Sequence, residues 1–197
     1  GSEGLILLEE KLLQSKTSTL MTLAKRLADQ WWVYPTLILG DHDAWLRDAF
    51  ANYAALRYLE EKHSELFEKE LAKLLIEALK YEEQAPVTKG YLLGPGSTEY
   101  NAIVAAKGAM VLYMLRQLIE PQVFNEYFRE WYRIHASIEE VSTQDFVDFI
   151  NRKTGENYNW FFLQWLESTG VPEFRVDYTV FKISSGGFRI RGSIEQD

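Results

Sequence analysis

The chain has 197 residues, 47% of them hydrophobic and 25% charged, a globular composition that excludes a disordered or collagenous polymer. Asp plus Glu outnumber Lys plus Arg by 29 to 21, for a formal net charge of −8, which argues against nucleic acid as a partner because such binders carry a basic patch. With no cysteine, disulfides, thiolate metal sites and cysteine nucleophiles are excluded too.

Length allows one compact unit plus a fragment of a second. The opening Gly1-Ser2 is the kind of scar an expression vector leaves after tag removal, so an excised piece of a longer protein is expected. No apolar run approaches the roughly 18 residues of a transmembrane helix, and no membrane segment is expected in this chain. Gly4 to Leu8 suit one strand or buried extended segment. Hydroxyls between Ser15 and Ser18 can cap a following helix. In it, Leu20, Leu23, Leu27 and Trp31 recur at three- and four-residue steps and predict one buried stripe up to Pro35. A second helix fits Asp43 to Lys62 and a third Glu65 to Tyr81. Pro86, Gly90, Gly94, Pro95 and Gly96 then mark a long irregular connection, with Tyr91 and Tyr100 flanking it as candidates to line a cleft.

Helical periodicity resumes from Glu99 to Ile119, and Pro121 suits the first turn of a helix running to about His135. Ser142-Thr143-Gln144-Asp145 resembles a capping signal before the apolar Phe146, Val147, Phe149 and Ile150. Gly155 ends that helix, and Asn159 opens another through Trp165 to Gly170. Trp31, Trp45, Trp131, Trp160 and Trp165 fall mostly at helical spacings, so core packing is their default role. After Pro172 the period switches to alternation on either side of Gly186-Gly187, which predicts a hairpin. A lone hairpin is marginal in water, so this one is expected to begin a β domain. The expected division is a helical unit over 1–171 and the opening of a β unit over 172–197.

Four blocks carry a resemblance to a known family. Leu23-Ala24-Lys25-Arg26-Leu27-Ala28-Asp29-Gln30-Trp31-Trp32 resembles the zinc-binding helix of the aminopeptidase N family, peptidase family M-one of the gluzincin clan, where HExxH is followed by Gln or Ser and an aromatic pair. Trp45 to Tyr53 resembles the family's WLNEGFATY, whose Glu is the third zinc ligand. The 18 residues between Asp29 and Asp48 match the family's spacing from second His to that Glu. Lys107 to Leu115 resembles KGALVLHML, and Phe161 to Pro172 resembles the end of the catalytic domain. The family's GAMEN substrate motif would lie upstream of Gly4. The fold this implies is mainly α: the helical part of a thermolysin-like (gluzincin) catalytic domain, followed by a β-hairpin from the start of a β domain.

The departures bear on function. HExxH works because two His four residues apart offer nitrogens to zinc from one helix face, while the Glu activates metal-bound water. By the resemblance, Lys25 and Asp29 stand at the two His positions, Arg26 at the general base and Asp48 at the third ligand. The catalytic Tyr position, two residues before the Lys-Gly pair, is Ala105. A protonated Lys has no lone pair, and an Arg does not accept a proton at neutral pH. A methyl group cannot stabilise an oxyanion. The resemblance therefore implies a degenerate motif: no catalytic residue, no bound zinc, and a structural role or the binding of peptides or protein partners within a longer chain. Two alternatives stay open, an active metallo-aminopeptidase using an unusual metal or base, and a plain helical scaffold.

Two arrangements of Lys25 follow. Four residues from Asp29 on one helix face, its ammonium can bridge Asp29 and Asp48 as an internal substitute for the metal cation. Otherwise these side chains turn outward into a solvated cleft. Of the three histidines, His42 reads as a cap-and-loop residue and His63 and His135 as residues near helix C-termini, not as ligands.

Overall fold

Why the second helix sits at the centre can be read from its side chains. In α2 (Trp45–Lys62) the buried set is Trp45, Leu46, Ala49, Phe50, Ala51, Asn52, Tyr53, Ala55, Leu56 and Leu59. It covers most of the helix circumference, and the alanines let neighbours approach on several sides. The computed structural model describes residues 4–6, 16–135 and 139–196. Before α2 come α1 (Lys16–Trp32), strand β1 (Leu37–Ile38) and a 3-10 turn at Asp41–Asp43. After it come α3 (Ser64–Lys80) and a 3-10 segment, Val87–Leu93, inside the connection expected to be irregular. Leu7, Leu8 and Ser15 lie outside the described residues.

Contrary to the expectation that no run approaches such a length, the next helical run, Thr98–Ile119, is long and apolar enough to cross a membrane, because Glu99, Lys107 and Arg116 are spaced too widely to break its apolar average; 72% of its most apolar window is buried inside the protein, as in a core helix. It begins as α4 (Thr98–Tyr100), widens into a π-helical segment at Asn101–Lys107 and continues as α5 (Gly108–Ile119). Residues Ala102 to Leu112 are all buried. Gly108 is where this run meets α2. A Cβ at Gly108 would lie 2.6 Å from the Ala49 Cβ, so only the missing side chain permits the approach. One residue earlier, Lys107 is 4% exposed and donates to Glu82, itself 5% exposed, at 2.8 Å, and to the Ser168 carbonyl at 3.2 Å. That buried pair ties the run to the segments after α3 and α8.

Helices α6 (Pro121–His135), α7 (Thr143–Thr154) and α8 (Asn159–Leu166) close the body. Ser142 and Asp145 form the expected reciprocal cap, and Gly155 ends α7 in the left-handed region at φ 73°. Strand β2 (Glu140–Val141) pairs in parallel with β1. A longer relay joins the same regions. Trp45 Nε1 donates to Thr143 Oγ1 at 2.8 Å, and the Thr143 amide and hydroxyl donate to Asp43 Oδ1 at 2.7 and 2.8 Å. Asp43 is fully buried, and His42 Nε2 lies 3.1 Å from its other oxygen, so Asp41-His42-Asp43 is a capping turn.

The hairpin forms as expected from β3 (Phe174–Lys182) and β4 (Phe188–Gln196), in register from Phe174 opposite Gln196 to Lys182 opposite Phe188. Alternation gives it one apolar face, with Val176 opposite Ile194 and Val180 opposite Ile190, and both faces are exposed. The stripe on α1 departs from expectation. Leu27 and Trp31 are 41% and 53% exposed and line a 610 Å³ apolar groove with Leu20, Leu23, Phe128 and Tyr132. Trp160 is exposed as well, whereas Trp45 and Trp131 are core residues.

The Gly108 contact yields the first prediction. Gly108→Ala forces a methyl into the Ala49 side chain and is expected to destabilise the protein by about 1–3 kcal/mol. The shift in denaturant midpoint measures it, and Gly96→Ala, whose glycine has open space at the Cβ but a φ of +85°, separates steric from backbone effects.

Candidate functional site

Three elements converge where α1 and α2 face each other. Lys25, Arg26 and Asp29 come from α1, Arg47 and Asp48 from the first turn of α2, and Tyr100 from the end of α4. Residues three apart on a helix meet, and Arg26 Nη1 reaches Asp29 Oδ2 at 3.2 Å. Asp29 is only 6% exposed. Its burial raises the carboxyl above the ordinary aspartate range, while the nearby Lys25 charge and the Arg26 hydrogen bond pull it back.

Of the two arrangements expected for Lys25, the bridge is not formed. No ion pair joins Lys25 to Asp29 or Asp48 among the described residues, and the ammonium acts on Asp29 only as a nearby charge. Lys25 is half-buried, with Asp29 taken by Arg26 instead. Asp48 is also taken: the Tyr100 hydroxyl donates to Asp48 Oδ2 at 2.7 Å. Burial and then the Asp48 charge push the Tyr100 phenol well above its ordinary pKa, so it keeps its proton and stays a donor. Ala105 lies in the π-helical segment, fully buried, and brings no polar side-chain atom.

Beside Asp48 opens a pocket of 300 Å³ lined by Asp41, Arg47, Asp48, Tyr91, Tyr100 and neighbouring apolar side chains. The two tyrosines stand in a cleft wall, as their places beside the Gly/Pro-rich loop suggested. Arg47 was not singled out in the sequence. Its signal is the basic residue immediately before Asp48 in a helical first turn, which the third-ligand spacing overshadowed. The Arg47 Nε is buried without a hydrogen-bond partner, and its guanidinium makes no ion pair among the described residues.

The polar residues of the first two helices and Tyr100 thus lie near one another in a mainly helical domain. The profile of the Peptidase family M1 domain matches residues 3–165. Aminopeptidase N of Lactococcus lactis subsp. lactis is 25% identical over 173 residues, covering 83% of this chain and 20% of that protein. An M1 zinc metallopeptidase from Deinococcus radiodurans bound to a Tyr-ser-ala substrate superposes with a TM-score of 0.64 at 18% identity, over 87% of this chain and 37% of that one. A further structure of an M1 zinc metallopeptidase from Deinococcus radiodurans gives 0.61 at 19% identity, over 78% and 34%. The chain belongs to peptidase family M1. It spans a minor part of the length of each of these relatives.

Relatives described as zinc metallopeptidases raise the question of zinc here. The donor set does not fit it. Lys25 offers no lone pair while protonated. Asp29 and Asp48 are two carboxylates whose Oδ2 atoms already accept from Arg26 and Tyr100. No three His, Cys, Asp or Glu side chains converge as a metal-holding group among the described residues. Structural and catalytic zinc sites take three or four N, S or O ligands from the protein.

Because Lys25 is half-buried and forms no ion pair, Lys25→Met is expected to cost under ~1 kcal/mol. Denaturant melts of Lys25→Met, Asp48→Asn and the double mutant check this through their coupling energy. A coupled loss of about 3 kcal/mol or more would mean that the ammonium does hold the two carboxylates together.

Proposed function

We propose that this chain is a non-catalytic peptidase-like segment, structural or peptide- and protein-binding in role, within a longer protein. Residues 1–171 form its helical peptidase-domain part, and 172–197 open a β unit. The observation that carries the reading is the Arg26–Asp29 pair. By the resemblance, these are the general-base and second-ligand positions. A guanidinium that stays protonated at neutral pH cannot take a proton from water, and here it occupies the carboxylate that stands where a ligand would. Ala105 adds to this, since the oxyanion-stabilising phenol of the family has no counterpart at that position. Membership in the family and the likeness of fold support retention of the scaffold; the chemistry of these three positions supports loss of hydrolysis.

Two measurements test the proposal together. Metal analysis after dialysis is expected to find no stoichiometric zinc, and alanyl or leucyl chromogenic substrates are expected to remain uncleaved with zinc added. About one zinc per chain, lost in Asp48→Ala, would overturn the reading. So would turnover abolished by chelators or by Asp29→Asn, which would reveal a working metal site.

A further inference from the structure

Among the described residues nothing covers the β3–β4 hairpin, and every residue of both strands is exposed. Pairing sets Val176, Tyr178, Val180, Phe188, Ile190 and Ile194 on one face, each 49–71% exposed. The opposite face carries Arg175, Asp177, Arg189, Arg191 and Glu195. A two-stranded hairpin is marginal in water until further strands or apolar packing support it. An exposed apolar face of this extent marks a contact with something else, whereas water solvates the charged face.

Area and charge choose what covers the apolar face. Side chains of this size, exposed to this degree, present roughly 800 Å² per copy, the share each partner gives to a standard stable interface. A second copy of the hairpin supplies an apolar face of equal size. Two such faces stack about 10 Å apart as in a sandwich, with both charged faces outward in water. One charge lies on the apolar face: Lys182, at the turn end opposite Phe188. Stacked with both turns at one end, two ammoniums would meet and repel. A twofold axis that lays each turn over the open end of the other hairpin instead brings each Lys182 to Phe174 and Gln196, a ring and an amide without charge. Edge-to-edge pairing of β4 strands would leave the apolar face bare.

We propose that two copies of this chain associate through the apolar faces of their hairpins, head to tail, as a four-stranded, two-layer sandwich. The proposal rests on the reading that residues 172–197 open a β unit, and it names what completes that unit in this chain.

The test is sedimentation equilibrium of the whole chain from about 1 to about 100 μM. The 22.9 kDa chain is expected to sediment as a dimer. Ile190→Glu, which puts a carboxylate into the stacked face, is expected to weaken association by about tenfold or more. Arg191→Glu, one residue along on the outer face, is expected to leave it unchanged. Far-UV circular dichroism checks that the helical body folds in both variants. A second measurement holds even if Ile190→Glu fails to fold. The chain has no cysteine, so a nitroxide on Gln196→Cys marks one place. Mixed with isotope-labelled chain, it is expected to broaden the amides of Lys182 and Phe188 in the other copy. A monomer throughout the range, larger open assemblies, or association that responds alike to Ile190→Glu and Arg191→Glu would overturn the proposal. So would broadening at Phe174 in place of Lys182, or broadening confined to the apolar groove of α1. A monomer that keeps cross-strand nuclear Overhauser contacts between β3 and β4 would remove this proposal alone; a monomer without them would remove the β-unit reading as well.

Discussion

The close approach of α2 to the Thr98–Ile119 run at Ala49 and Gly108 is the constraint on which the rest of the molecule depends. Two helices come into contact there because one side chain is a methyl and the other is absent. Lys107, next to the glycine, is then drawn into the interior, where Glu82 and the Ser168 carbonyl satisfy its ammonium. A buried ion pair of this kind is not a large source of net stability, but breaking one side of it leaves an uncompensated charge. The pair therefore fixes which segments lie together more than it adds to their attraction. With α2 held from this side, and its start held by the Trp45–Thr143–Asp43 relay, the first turn bearing Arg47 and Asp48 has little freedom.

The same packing explains how α1 and α2 stay joined without an ionic link through Lys25. Ala28 and Trp32 of α1 are buried against the core, and the Trp32 ring lies 5.2 Å from Phe50 and 4.4 Å from Phe128. Aromatic and aliphatic burial holds the helices by area, which needs no fixed charge geometry. Once that surface is in place, the polar residues on the facing sides can find local partners. Arg26 turns to Asp29 three residues along its own helix, and Tyr100 turns to Asp48 across the cleft. A bridge from Lys25 to both carboxylates would compete with two hydrogen bonds already made.

Local signals were legible where the cause is local. The capping box at Ser142 and Asp145 and the left-handed end at Gly155 depend on a few adjacent residues, and they form where the sequence places them. The hairpin follows from alternation around Gly186-Gly187. Leu27 and Trp31 depart from the expected burial because periodicity reports that a face is apolar, not what lies against it; theirs lines a groove. The Tyr100–Asp48 hydrogen bond spans 52 positions, and the π-helical widening after Tyr100 intervenes between it and Lys107. A register counted back from the Lys-Gly pair on regular α geometry cannot anticipate that partner. The unpartnered Arg47 Nε has no signature in the sequence, because it depends on three-dimensional neighbours.

Charge arithmetic gives the cleft its character. Lys25 and Arg26 act on Asp29, and Arg47 lines a pocket with Asp41 and Asp48, so three formal cations and three formal anions fall in two neighbouring clusters. A dication needs a surplus of negative or lone-pair donors, and this set has none to spare. Burial also raises the Asp29 carboxyl, which weakens its claim to a full negative charge as the pH falls. What remains are charges of both signs held on separate helices by apolar packing.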